Sequence, residues 1–132
     1  MLTTVIDMLD ALRAHLAAFE LPELYSVTVI TARGERRVSV HLTCDQLPDI
    51  ASGLLAWAET LTETTAEAWR VPDGDSIHLS VTGQLPNGTL VHVYSGMAFT
   101  EHGIGANLAP DTSTTLPLAV LREQATLGEV TL

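Results

Sequence analysis

Residues 24–42, LYSVTVITARGERRVSVHL, decide the fold. Two stretches in which apolar and polar residues alternate, Leu24 to Thr31 and Arg36 to Leu42, flank Ala32-Arg33-Gly34-Glu35. Alternation at period two marks a strand with one buried face. Pairing Ala32 with Glu35 sets Val29 opposite Val38, Val27 opposite Val40 and Tyr25 opposite Leu42. Ser26, Thr28, Arg37, Ser39 and His41 then share the other side. One register satisfies both strands, which predicts a β-hairpin with an apolar and a polar face.

The same logic applies to residues 65–97, which read as a three-stranded meander. Its turns, Val71-Pro72-Asp73-Gly74-Asp75 and Leu85-Pro86-Asn87-Gly88-Thr89, place Pro, then Asp or Asn, then Gly in the order that a type I turn with a glycine bulge requires. Leu85 pairing with Thr89 sets Val81 against Val93 and Ile77 against Met97, with Ser80 against Tyr94 and Thr82 against His92 on the polar side. Val71 pairing with Asp75 puts Trp69 beside Ile77 on the apolar side.

Helices are expected around these strands. Leu2, Val5, Leu9, Leu12, Leu16 and Phe19 recur every three or four residues, and Pro22 ends that segment. The stripe suits packing on the chain's own sheet, with a short coiled-coil seam as the other use. A second helix starts near Asp45 with Pro48 in its first turn and buries Leu47, Ile50, Leu54, Trp57 and Leu61. Beyond it, Glu59, Glu63 and Glu67 read as solvated carboxylates after the helix frays. Residues 101–115 read as an irregular loop, and 116–126 as a short closing helix capped by Thr115 with Pro117 in its first turn. The predicted fold is one α+β domain over residues 1–132. It is a two-layer sandwich in the order α-β-β-α-β-β-β and a last α, with helices on the apolar face of a mainly antiparallel sheet of about five strands.

Composition bounds the function. Lys and Arg total 6 against 16 Asp and Glu, a net charge of -10, and all six cations are arginines. Only Arg33, Arg36 and Arg37 cluster, so nucleic acid is a poor direct partner and an anionic membrane surface would repel the chain. No run approaches the roughly 20 apolar residues that span a bilayer. Asp7 and Asp10 in place of a basic leader, with Cys44 as the single cysteine, set a cytoplasmic, reducing compartment as the expectation.

Candidate site residues are His41, His78, His92 and Tyr94, all on the polar face in these registers, together with His102 in the glycine-bearing segment His102-Gly103-Ile104-Gly105-Ala106-Asn107. His78 and His92 fall roughly 13 Å apart at about 3.3 Å per residue, too far for one metal ion. No metal or cofactor is expected, and no catalytic set assembles. Cys44 precedes the second helix, where the helix dipole favours a thiolate, yet it reads as a structural thiol because no base or oxyanion group accompanies it.

Val27-Thr28-Val29-Ile30 followed by Arg33-Gly34, then Ile50-Ala51-Ser52-Gly53-Leu54, together with the order of elements, resembles roadblock/LC7 domains. That resemblance implies a small adaptor that dimerises and regulates partners such as small GTPases. Ala68-Trp69-Arg70-Val71-Pro72 and Val91-His92-Val93-Tyr94-Ser95-Gly96 also look like small actinobacterial proteins, some from mobile elements, which imply no activity. The leading expectation is a non-enzymatic, self-associating protein-interaction or regulatory module. The alternatives are a small-molecule or peptide-binding domain or small hydrolase that unites the polar face with the 101–107 loop, and an acidic decoy of a nucleic-acid-binding protein.

Overall fold

The computed structural model describes residues 4–130 and has the expected α+β sandwich. Helix α1 (Val5–Ala18) leads into β1 (Leu24–Ile30), a 3₁₀ turn at Ala32–Gly34, β2 (Arg37–Leu42), α2 (Leu47–Ala58), β3 (Thr62–Arg70), β4 (Ser76–Gln84), β5 (Leu90–Ala98), β6 (Ser113–Leu116) and α3 (Leu118–Val130). The sheet has six strands in the order β1-β2-β5-β4-β3-β6. All neighbours are antiparallel except β2 and β5, which run parallel and join the hairpin to the meander.

Alternation fills one face of the sheet. Val38, Val40 and Leu42 of β2, Val91 and Val93 of β5, Ile77, Leu79 and Val81 of β4, and Ala66 and Ala68 of β3 are buried in one core with Ile50, Leu54 and Trp57 of α2. Met8 and Leu12 of α1 and Leu121 of α3 complete it. At about 25 cal/mol per Å² of apolar surface removed from water, this single layer is the main source of stability. None of the described helices is long and apolar enough to cross a membrane.

Two expected registers hold. Val29 faces Val38 and Val27 faces Val40; Val81 faces Val93, Ile77 faces Met97 and Thr82 faces His92. Leu85 N–H donates to Thr89 O across the Pro86-Asn87 turn, and Gly74 and Gly88 take φ of +79° and +86°, which a Cβ would strain.

Other details differ. A bulge between Leu24 and Ser26 pairs Leu24, not Tyr25, with Leu42 and turns Tyr25 toward the polar face. In the first meander turn, Val71 N–H donates to Ser76 O, and Asp73 accepts from Asp75 N–H, so the loop holds one residue more than expected. A one-residue change reverses every side chain, and Trp69 therefore pairs with His78 on the polar side rather than Ile77 on the apolar side. Helix α2 begins after Gln46, which caps it without a side-chain bond, and ends at Ala58, so Glu63 and Glu67 lie on a strand. Within the expected 101–115 loop, Ser113–Leu116 forms β6 against β3, and the closing helix runs from 118 to 130 rather than 116 to 126.

Helix α1 also buries a stripe rotated from the one expected of it, with Leu12 common to both. Its buried residues are Met8, Leu12 and His15, while Val5, Leu9 and Phe19 are exposed; Leu2 lies outside the described residues. His15 explains the rotation. Thr60 Oγ1 donates to Trp57 O and so accepts from His15 Nε2 at 2.8 Å, and the imidazole stacks on the Trp57 indole at 5.6 Å. A buried histidine with a satisfied ring nitrogen serves here as a core residue.

Candidate functional site on the open face of the sheet

The face opposite the helices is where the polar members of the alternation collect. Cross-strand neighbours put Ser39 beside His92 and His41 beside Tyr94 across the parallel β2–β5 pair. They put Tyr94 beside Ser80 across β5–β4, and Ser80 beside Glu67 and His78 beside Trp69 across β4–β3.

The rings form a continuous band over five strands. Tyr25 meets His41 edge-on at 5.2 Å, His41 stacks on Tyr94 at 4.6 Å and 13°, Tyr94 stacks on His78 at 5.6 Å and 19°, and His78 meets Trp69 edge-on at 5.4 Å. His92 flanks Tyr94 at 5.6 Å. The band needs Gly96: β5 has no side chain opposite His78, and a Cβ there would stand 3.0 Å from His78 Cδ2. The imidazole leans into that gap and reaches Tyr94.

Beside the band lies a hollow of about 390 Å³ lined by Arg37, Ser39, Glu67, Trp69, His78, Ser80, His92, Tyr94 and Ser113. That volume is in the range of a small ligand or one or two side chains of a partner. Its polar atoms are held by the scaffold: His92 Nδ1 lies 3.1 Å from Thr82 Oγ1, and Trp69 Nε1 donates to Asp111 at 3.3 Å. Arg37 Nε sits 3.1 Å from Glu35 Oε1, an ion pair angled too poorly to count as a hydrogen bond, so that buried N–H has no acceptor.

The imidazoles of the hollow are biased to their neutral forms. Burial lowers the pKa of His78, with His41 adding repulsion. Burial also lowers that of His92, aided by Arg37 and His78 and opposed by Glu67. The floor thus combines neutral rings, three serine hydroxyls, one guanidinium and one carboxylate, a set suited to stacking and hydrogen bonding.

Of the residues singled out from sequence, His41, His78, His92 and Tyr94 come together. His102 does not. It is exposed on a loop whose Ile104 and Leu108 pack against the helix-side core, while Arg70, on that same side, donates to Gly74 O and Leu108 O and lies 3.6 Å over the Phe99 ring. None of residues 101–107 lines the hollow. Cys44 is half-buried, and burial pushes its thiol pKa up, with Asp49 adding to the rise, the reverse of the thiolate that a helix dipole favours. Among the described residues no three His, Cys, Asp or Glu side chains converge to hold a metal ion.

Tyr25, Glu67 and Ser113 were not singled out from the sequence, and neither was Trp69. Its signal was Glu67, two positions earlier and so on the same face, which argues for the polar side. No family model, curated protein or solved structure matches the chain.

Proposed function

We propose that this chain is a non-enzymatic interaction module whose open sheet face receives a segment of a partner protein. The observation that carries the reading is the band of rings from Tyr25 to Trp69, with a hollow beside it, on a face to which the helices contribute no lining residue. Rigid aromatic side chains bring large contact area at low entropic cost, and interfaces concentrate their energy on Trp, Tyr and Arg. Here Trp69, Tyr94 and Arg37 line one hollow. Glu67 at its wall and the chain's charge of -10 favour a partner segment of neutral or basic character.

Peptides selected from a random library on the wild-type chain test this. Their affinity should fall about tenfold or more in Tyr94→Ala and in Trp69→Ala, the loss expected of anchor residues. Binding unchanged in both folded variants would place the partner surface elsewhere.

A further inference from the structure

We infer that the chain forms a two-fold symmetric homodimer by pairing β1 antiparallel with β1 of a second copy, with Thr28 on the axis. This deepens the interaction-module reading, yet its geometry stands on a different surface.

β1 is an edge strand: among the described residues, nothing pairs with its outer side. The bulge at Tyr25 leaves Ser26–Ile30 as the regular stretch, and these five residues include no charge and no proline. Edge strands of monomers are blunted by lysine, proline, shortness or a bulge, and the bulge of β1 lies at Tyr25, outside Ser26–Ile30. The opposite edge follows that rule, since β6 is four residues long and is followed by Pro117. β1 does not.

A second copy fits this edge in a defined register. Centring on Thr28 pairs Val27 with Val29 on the apolar side and Ser26 with Ile30 on the open side, so residues that face each other share a face, as antiparallel pairing demands. A two-fold axis normal to the sheet keeps both α1 helices on one side of the joined sheet. There α1 presents what it does not bury: Ile6, 69% exposed, and Leu9, 44% exposed. Leu9, Leu12 and Leu16 with Val27 line an apolar groove of about 460 Å³ along the edge. The groove's charged residues are Asp10 and Arg13, ion-paired at 3.0 Å. A second copy brings the same balanced pair, so the net charge of the chain is not concentrated at the joint.

Sedimentation at low micromolar concentration tests the inference, with the wild type expected at twice its 14.1 kDa chain mass. Thr28 is exposed, so Thr28→Lys leaves the monomer fold intact, as amide spectra would verify, and sets two ammonium groups opposite each other at the axis. Loss of the dimer is expected. In a Cys44→Ala background, Thr28→Cys should oxidise readily to a covalent dimer while Ser26→Cys, which faces Ile30, should not. A monomeric wild type, a Thr28→Lys dimer as tight as wild type, or equal cross-linking at 26 and 28 would each overturn the inference. A monomer would leave peptide binding at Tyr94 and Trp69 untouched, so the two readings fail separately.

Discussion

Replacing Tyr94 by alanine separates a surface band of rings from a structural core. Tyr94 is half-buried and makes three ring contacts, with His41 at 4.6 Å and with His78 and His92 at 5.6 Å each. Aromatic pairs contribute about 0.5–1.5 kcal/mol each beyond area burial, and these partners are imidazoles, smaller than six-membered rings, so the lower half of that interval applies. No cavity cost adds to the loss, because the hollow is open and water can fill the space. Tyr94→Ala should therefore cost about 2 kcal/mol. Trp57→Ala removes a fully buried side chain from the core and should cost about 3–5 kcal/mol. Urea unfolding followed by far-UV circular dichroism compares the two, with equal slopes against denaturant as the check that the unfolded state is unchanged. A loss from Tyr94→Ala as large as that from Trp57→Ala would make the rings part of the interior, contrary to an open band. A loss under about 0.5 kcal/mol would mean that the rings do not touch in solution.

Other consequences follow from named contacts. Arg70→Leu removes two hydrogen bonds to backbone carbonyls and the contact with Phe99; at about 1.5–3 kcal/mol for a charged hydrogen bond, a loss of about 3 kcal/mol and faster proteolysis within 99–112 are expected, against no change if the loop is held otherwise. Gly96→Ala should displace the His78 ring from Tyr94, seen as changed ring-proton shifts of both with little change at Ile77 on the opposite face; unmoved His78 resonances would contradict the packing. Acid should destabilise the fold. Burial lowers His15, His78 and His92 below 6.5, so the unfolded chain takes up protons first, and stability complete above the unfolded value is lost as pH falls from about 6.5 through the lowered folded values. Melting temperature should drop between about pH 7.5 and 5.5, above the main carboxylate range, and the drop should lessen in His92→Gln; a rise over that window would contradict the neutral-imidazole reading.

Local pattern revealed what local chemistry determines. Val81 faces Val93 and Val29 faces Val38 because short turns and clean alternation leave one register to each hairpin. Trp69 escaped because Asp73 accepts from Asp75 N–H and lengthens its turn by one residue, and β3 offers only the small Ala66 and Ala68 to mark its apolar side. α1 carries more apolar residues than one face needs, and His15, a polar residue by pattern, occupies the buried stripe. The parallel pairing of β2 with β5 has no turn to announce it, yet it sets His41 on Tyr94 and makes one site of two hairpins. The four polar-face residues could thus be named individually, but their union could not.

Amide chemical-shift mapping of a selected peptide on the labelled chain tests whether the open sheet face is the partner surface. Shifted amides should cluster on Ser39, His41, Glu67, Trp69, His78, Ser80, His92 and Tyr94, across β2, β3, β4 and β5. Shifts confined to α1, α2, α3 or the 101–107 loop would contradict that placement.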